Sequence, residues 1–206
     1  GMVQLVQLSH PGRQCPKGLN KETVAPSAVP FSPALSMSFG TPRALREDEI
    51  LDIIQRFATS AAICEKAGFE GVQLHGAHGY LISQFLSPLT NKRQDQWGGS
   101  AENRMRFLLE IYKAVRAATS EQFIISVKLN SADFQRGGIS EEDVIATFKA
   151  IDVAGIDLIE ISGGSYEAPV MAGAKQEKRK AWTIAREAYF LEFAEKIREQ
   201  VQCKLM

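Results

Sequence analysis

Strand-like and helix-like segments alternate along most of this chain of 206 residues, and this alternation constrains its fold more than any other feature. The predicted strands cover residues 3–8, 71–75, 123–129, 157–161 and 203–206. The predicted helices begin at Glu47 and after the N-cap serines Ser100 and Ser140, and a fourth covers residues 186–201. Strands that alternate with helices pair in parallel, and these strands are almost continuously apolar. The pattern therefore predicts an α/β fold with a parallel sheet covered by helices, either doubly wound or a (β/α)8 barrel.

Polar residues follow the carboxyl ends of successive predicted strands. They are His75 and His78, then Asn130 and Asp133, then residues 162–166. Barrel enzymes keep their chemistry at this end of the strands, and no G-x-G-x-x-G follows any strand to indicate a Rossmann site. A complete TIM barrel needs about 250 residues and eight strands. The sequence therefore predicts one partial TIM-barrel domain over residues 1–206.

The composition indicates which partners the protein has. The chain carries 24 basic and 24 acidic side chains, with no basic block that would attract nucleic acid. No apolar run approaches the roughly 18 residues that would suggest a membrane span. We therefore expect small-molecule partners, with neither nucleic acid nor a membrane among them.

The cysteines predict the compartment. Cys15, Cys64 and Cys203 are odd in number and far apart, which argues against a disulfide framework and against a cysteine zinc site. A reducing cytoplasm fits this pattern best. Gly1 before Met2 is typical of a scar left by tag cleavage, so we exclude Gly1 from the fold prediction.

A long segment near the amino terminus lacks periodicity. Residues 11–42 contain six of the eight prolines, so we expect a long loop there. Loops of this length in compact enzymes usually serve a site.

The segment after the second predicted strand contains the residues best suited to catalysis, His75, His78 and Tyr80. Two imidazole N–H donors that converge on a carbonyl oxygen stabilise a developing enolate as an oxyanion hole does. A tyrosine with an ordinary pKa of about 10 keeps its proton at neutral pH and can donate it to carbon. The same histidines could instead bind zinc with Asp133 or Glu160 as a third ligand, as in a metal-dependent barrel hydrolase.

Three longer segments carry a resemblance to a known family. They are residues 7–13, residues 75–81, and residues 87–93 continuing to residues 97–104. Together they resemble the Old Yellow Enzyme family of FMN-dependent NAD(P)H oxidoreductases, which includes ene-reductases. The resemblance implies a (β/α)8 barrel that holds FMN at the carboxyl ends of its strands. It also implies NAD(P)H as reductant and an enone or phenol-like small molecule as ligand.

The resemblance also implies roles for individual residues. His75 and His78 resemble the pair that hydrogen-bonds a substrate carbonyl or phenolate oxygen, and Tyr80 resembles the proton donor. Gln7 resembles the residue that bonds the pyrimidine edge of the flavin. Lys128 stands where many relatives have an arginine beside flavin N1 and O2. A lysine keeps the positive charge there but lacks the planar fork of a guanidinium.

In the register of that family, the chain begins at the third barrel strand and stops as the seventh begins. The loops that hold a phosphate in such barrels follow strands seven and eight. We therefore expect this chain to bind FMN poorly and to be weakly active or inactive alone. Unpaired strand edges promote association, so we also expect a homo-oligomer. A non-catalytic half-barrel remnant is a further alternative.

Overall fold

A computed structural model describes residues 2–167 and 190–206. Its strands are β1 (Leu5–Leu8), β2 (Val24–Ala25), β3 (Arg43–Ala44), β4 (Gly71–Gly76), β5 (Ile124–Asn130), β6 (Leu158–Ser162) and β7 (Lys204–Leu205). Its helices are α1 (Glu47–Lys66), α2 (Leu81–Leu86), α3 (Ala101–Ala118), α4 (Glu141–Ala154) and α5 (residues 190–198), and a 3-10 turn covers Gly12–Gln14.

Five of the strands form one sheet, in the order β1, β4, β5, β6 and β7. All of its neighbouring strands are parallel. The order follows the chain without the reversal that marks a doubly wound sheet. The sheet therefore confirms the predicted α/β class and matches a continuous part of a barrel.

The two faces of this sheet differ in chemistry. One face packs against the helices, and its side chains are fully buried and apolar: Val72, Leu74, Ile125, Val127, Leu129 and Ile159. The residues that alternate with them form what we call the polar face: Gln7, Gln73, His75, Ser126, Lys128, Asn130, Glu160 and Ser162. The expectation of almost continuously apolar strands was therefore wrong, because the strands alternate with a period of two.

Serine caps set the starts of two helices at the predicted positions. The hydroxyl of Ser100 accepts a bond of 3.3 Å from the backbone N–H of Asn103, and α3 follows. The hydroxyl of Ser140 accepts one of 3.1 Å from Asp143, and α4 follows. Each bond satisfies a donor that the helix itself leaves free. These caps fix where the helices begin relative to the strand ends that precede them.

The long loop predicted over residues 11–42 has more structure than its proline content suggested. It contains a 3-10 turn and β2, which pairs in parallel with β3. Arg93 anchors this region, since its guanidinium donates to the carbonyls of Pro26 and Leu45 at 3.1 and 2.6 Å. Arg93 thus has a structural role.

The remaining differences lie at element ends. The first strand begins at Leu5 rather than at residue 3, and the last is limited to Lys204–Leu205. The predicted helix over residues 186–201 is helical over residues 190–198, and residues 186–189 lie outside the described residues. The short helix α2 was not predicted.

Two further expectations concern the cysteines and the membrane. All three cysteines are free thiols. Among residues 2–167 and 190–206, no helix combines the length and the apolar character that crossing a membrane requires. The cytoplasmic location stays a prediction.

Candidate active site

The predicted catalytic residues meet just beyond the carboxyl end of β4. His75 is the second-last residue of this strand. The chain then turns sharply, with φ of +59° at His78 and +76° at Gly79. The ring centre of His75 lies 5.1 Å from that of His78 and 4.7 Å from that of Tyr80. The left-handed turn is what brings the three rings together, because an extended chain would carry them apart.

His75 is a neutral hydrogen-bond donor at physiological pH. Its side chain is 7% exposed, and burial, together with the nearby charges of His78 and Lys128, lowers its pKa to about 4 despite the opposing effect of Glu160. The backbone N–H of Ala77 donates to Nδ1 at 3.3 Å. A neutral imidazole with an accepting Nδ1 carries its proton on Nε2. That N–H is therefore available to a ligand.

His78 is held against the next two strands. Its backbone N–H donates to Oδ1 of Asn130 at 3.2 Å, and its Nε2 lies 2.7 Å from Oγ of Ser162. Burial and then the charge of Lys128 lower its pKa. These contacts fix the ring, and they engage one of its two nitrogens with protein. Only Nδ1 of His78 therefore stays free of a partner among the described residues.

Tyr80 lies at the start of α2 with its hydroxyl 3.0 Å from the hydroxyl of Tyr166. The hydrogen bond to Tyr166, and burial to a lesser degree, raise the pKa of Tyr80 to about 12. The phenol therefore keeps its proton at neutral pH, as a proton donor must. The backbone N–H of Leu81 donates to the carbonyl of His10 at 2.9 Å, which ties this turn to the end of β1.

A network of side chains crosses the polar face beside the histidines. Nε2 of Gln7 donates to Oε1 of Gln73 at 2.6 Å, and Nε2 of Gln73 donates to Oε2 of Glu160 at 2.9 Å. Nζ of Lys128 lies 2.7 Å from Oε1 of Glu160, and both side chains are 20% exposed. Burial opposes ionisation of Glu160, but its bonds to Lys128 and Gln73 outweigh that effect and lower its pKa. Lys128 is therefore one half of an ion pair.

Gln73 was not predicted as a member of this network, and Glu160 was predicted only as an alternative metal ligand. The signal for Gln73 was its polar side chain between two apolar neighbours, Val72 and Leu74. Reading the strand with a period of two, rather than as an apolar run, would have placed it beside Gln7.

The two carboxylates predicted as possible third metal ligands, those of Asp133 and Glu160, are bonded to other protein groups. Asp133 accepts bonds from the hydroxyl of Ser87 at 2.7 Å and the backbone of Ile139 at 3.2 Å, and Glu160 is paired with Lys128. In the part of the chain that the structure describes, no three histidine, cysteine or acidic side chains converge as a metal site requires.

The polar face fits the flavin that the resemblance implies. The pyrimidine edge of a flavin presents carbonyl oxygens and an N–H, which need donors and an acceptor in one plane. Gln7 and Gln73 supply amide groups and Lys128 an ammonium, all on the same face of neighbouring strands. Gln7 is exposed, so its amide is accessible from that face. The match to the flavin rests on the hydrogen-bonding groups of these three side chains and not on a closed cavity.

A parallel sheet in chain order with its polar cluster at the strand ends defines a protein of the (β/α)8-barrel class, of which this chain covers part. The chain belongs to the NADH:flavin oxidoreductase / NADH oxidase family, whose model matches residues 1–206. FMN with a nicotinamide nucleotide as reductant is the cofactor system of this family. The resemblance to the Old Yellow Enzymes is thereby confirmed.

Known proteins support this membership. The chain is 39% identical over 200 residues to the NADH-dependent flavin oxidoreductase nadA of Aspergillus parasiticus, covering 96% of this chain and 44% of that protein. It superposes on an Old Yellow Enzyme homologue from Zymomonas mobilis with a TM-score of 0.74 at 27% identity, covering 98% of this chain and 55% of that one. It superposes on morphinone reductase in complex with tetrahydroNAD with a TM-score of 0.75 at 27% identity, covering 100% and 55%. The chain thus spans about half the length of these relatives.

Proposed function

We propose that the protein is an FMN-dependent NAD(P)H oxidoreductase of the ene-reductase type, which reduces an activated alkene conjugated to a carbonyl group. The observation that carries the proposal is the contact of His75, His78 and Tyr80 at the end of β4. In a member of this family, bound FMN supplies the hydride. The chain's own side chains then have to polarise the carbonyl and deliver a proton.

His75 acts in this proposal on the substrate carbonyl. Its Nε2–H donates to the oxygen and stabilises the negative charge that develops there. Its lowered pKa matters because a neutral imidazole donates without transferring its proton. His78 supplies the second donor through Nδ1, and the bond of its Nε2 to Ser162 holds the ring in place.

Tyr80 delivers the proton to the carbon next to the carbonyl. Its raised pKa keeps the phenol protonated at every physiological pH. A positioned acid of this kind contributes roughly 10²–10⁴ in rate.

The network of Gln7, Gln73 and Lys128 holds the flavin ring in this proposal. The amides bond its pyrimidine edge, and the ammonium places a positive charge nearby. Glu160 restrains Lys128 and partly offsets its charge. Assembly through the sheet edges β1 and β7 stays a prediction, which light scattering of the purified protein checks.

The test separates the two half-reactions under anaerobic conditions, with FMN added in excess because we expect this chain to bind it poorly. Tyr80→Phe should leave flavin reduction by NAD(P)H intact and slow reduction of a weakly activated enone by roughly 10²–10⁴. His75→Ala should instead weaken binding of a phenol, read from the visible absorption of the complex.

The matched control is Tyr112→Phe, which removes a buried tyrosine hydroxyl from α3. It should change neither half-reaction. Equal slowing of flavin reduction and enone reduction by Tyr80→Phe would contradict the proton-donor role.

A further inference from the structure

A second tyrosine, Tyr166, lies against Tyr80 from the loop that follows β6. The two hydroxyl oxygens are 3.0 Å apart, and the ring centres are 6.1 Å apart at 69°. Tyr166 is 42% exposed, whereas Tyr80 is half-buried. Among the described residues, Tyr166 is the one hydrogen-bond partner of the Tyr80 hydroxyl. The pair therefore connects the buried end of the site to solvent.

The backbone on the amino-terminal side of Tyr166 is fixed to the catalytic turn. Nδ2 of Asn130 donates to the carbonyl of Gly164 at 2.9 Å, and Ser165 forms an isolated parallel bridge with His78. Asn130 also accepts the backbone N–H of His78 at 3.2 Å. One amide side chain thus holds both loops, so the spacing of the two tyrosines is set by the strands rather than by chance contact.

An ion pair anchors the carboxyl-terminal side. Arg13, whose side chain is 7% exposed, binds Glu167 through its guanidinium. The same guanidinium donates to the carbonyl of Pro30 at 3.3 Å and stacks 4.1 Å above the ring of Phe31. Two parts of the long loop over residues 11–42 therefore meet the loop after β6 at the residue that follows Tyr166.

We propose that Tyr166 is a positioning residue that orients the Tyr80 hydroxyl and returns a proton to it from bulk water in each turnover. The inference rests on the proposed function, since it needs Tyr80 to give up a proton. In the resting pair the O–H of Tyr80 donates to Tyr166, which is why this bond raises the pKa of Tyr80. With substrate bound the bond reverses, so that Tyr166 donates its own O–H to Tyr80 and the hydrogen of Tyr80 is directed at the substrate.

The proton transfers balance without any redox change in the tyrosines. The O–H bond of Tyr80 breaks as a C–H bond forms on the substrate. The O–H bond of Tyr166 then breaks as the O–H bond of Tyr80 forms again. Water finally protonates the oxygen of Tyr166 and leaves hydroxide in bulk solvent. The net proton taken up per alkene thus comes from water.

The other titratable groups around Tyr80 are worse placed to perform this task. His75 faces the ring of Tyr80 at 4.7 Å, and its proton is on the nitrogen assigned to the substrate. Lys128 and Glu160 lie beyond His75 and are paired with each other. Neither group of this pair bonds the hydroxyl of Tyr80, so Tyr166 is the direct route.

Titration of the tyrosines tests the pairing without any cofactor. The chain has four tyrosines, so 3-fluorotyrosine gives a simple fluorine NMR spectrum. The bond between the two phenols raises the pKa of Tyr80. The resonance of Tyr80, assigned by Tyr80→Phe, should therefore titrate at higher pH than that of an ordinary tyrosine. In Tyr166→Phe, which removes this bond, the resonance of Tyr80 should titrate at lower pH than in the wild type.

Tyr112→Phe is the matched control, and it should leave the titration of Tyr80 unchanged. A merely structural role for Tyr166 would not alter the titration of Tyr80. A Tyr80 titration that is the same in Tyr166→Phe and in the wild type would overturn the pairing.

Kinetics of the flavin-loaded protein test the relay. Tyr166→Phe should slow enone reduction by about tenfold or more, since it removes a hydrogen bond to a developing phenolate, while phenol binding and flavin reduction stay unchanged. Tyr166→His, which keeps a proton carrier, should recover part of the rate. Equal enone rates in Tyr166→Phe and wild type would overturn the relay alone. A wild-type protein that reduces flavin but no enone would overturn the proposed function, and the NMR titration would still decide the pairing.

Discussion

The two faces of the five-stranded sheet are made of the same strands and differ in what they do. The helix-facing side chains of β4, β5 and β6 are apolar and sealed from water, as Val72, Leu74 and Val127 show at 0% exposure. The alternating residues on the polar face form bonds with one another, as Gln73 and Lys128 show, and the exposed amide of Gln7 stays accessible. Adjacent residues in a strand therefore serve stability and chemistry separately.

This division explains how a site rich in polar groups is tolerated. Burying an unpaired charge or amide is costly, but the groups of the polar face satisfy each other. Glu160 accepts from both Lys128 and Gln73, and Ser162 engages His78. The free energy that holds these groups in place comes from the opposite face, where apolar area is removed from water.

The largest expected effect is on the free energy of unfolding, and it distinguishes two adjacent residues of β4 that lie on opposite faces of the sheet. Leu74→Ala should lower the free energy of unfolding by about 3–5 kcal/mol, because it leaves a cavity among fully buried side chains. Gln73→Ala, its neighbour on the polar face, should cost only about 1 kcal/mol, because Glu160 keeps its bond to Lys128. Denaturant unfolding monitored by circular dichroism measures both. Equal losses for the two variants would show that the polar face also carries the fold.

His75 should make stability depend on pH. Its pKa is about 4 in the folded protein and 6.5 when unfolded, so the unfolded state takes up a proton first as the pH falls. His75 contributes its full stabilisation above pH 6.5, and this contribution decreases as the pH falls from 6.5 to about 4. The expected loss at pH 5 is roughly 2 kcal/mol.

The comparison of wild type with His75→Gln isolates this effect, because burial lowers the pKa of His10 and His78 as well. Unfolding curves at pH 7 and pH 5 should differ less for the variant than for the wild type. An identical pH dependence in both proteins would mean that His75 is protonated as easily in the fold as in the unfolded chain.

The ion pair on the polar face should contribute less. A double-mutant cycle with Lys128→Met and Glu160→Gln should give a coupling energy of about 1 kcal/mol, since both side chains are 20% exposed. Because the folded state lowers the pKa of Glu160, this contribution is present above its ordinary pKa of 4.5 and is lost as the pH falls through the folded value. A coupling energy that is unchanged at pH 7 and pH 3 would contradict this assignment.

The sequence predicted the fold well where local signals were strong. Ser100 and Ser140 mark helix starts by the hydrogen bonds that a serine can make, and the structure begins α3 and α4 directly after them. The short strands β2 and β3 could not be predicted, because two residues carry no periodicity and their pairing depends on a partner about 20 residues away.

The candidate site was predictable in its parts but not in its connections. His75, His78 and Tyr80 are close in sequence, so a single turn brings them together. Tyr166 lies 86 residues from Tyr80, and Glu160 lies 87 residues from Gln73. Contacts of that kind follow from strand register and loop anchoring, which one sequence without its fold does not specify.

The smallest effect on stability should come from Gln7, and it tests whether the polar face is a binding surface. Gln7 is exposed and bonds only Gln73 among the described residues, so Gln7→Ala should change the free energy of unfolding by no more than about 0.5 kcal/mol. Its neighbour Val6 packs against the core, and Val6→Ala should cost about 1–2 kcal/mol. The order should reverse for FMN binding measured by fluorescence titration. Loss of one amide bond should weaken binding in Gln7→Ala by about 1 kcal/mol, while Val6→Ala leaves it unchanged. A Gln7→Ala protein that binds FMN as tightly as the wild type would remove Gln7 from the flavin site and leave the network on β4, β5 and β6 to hold it.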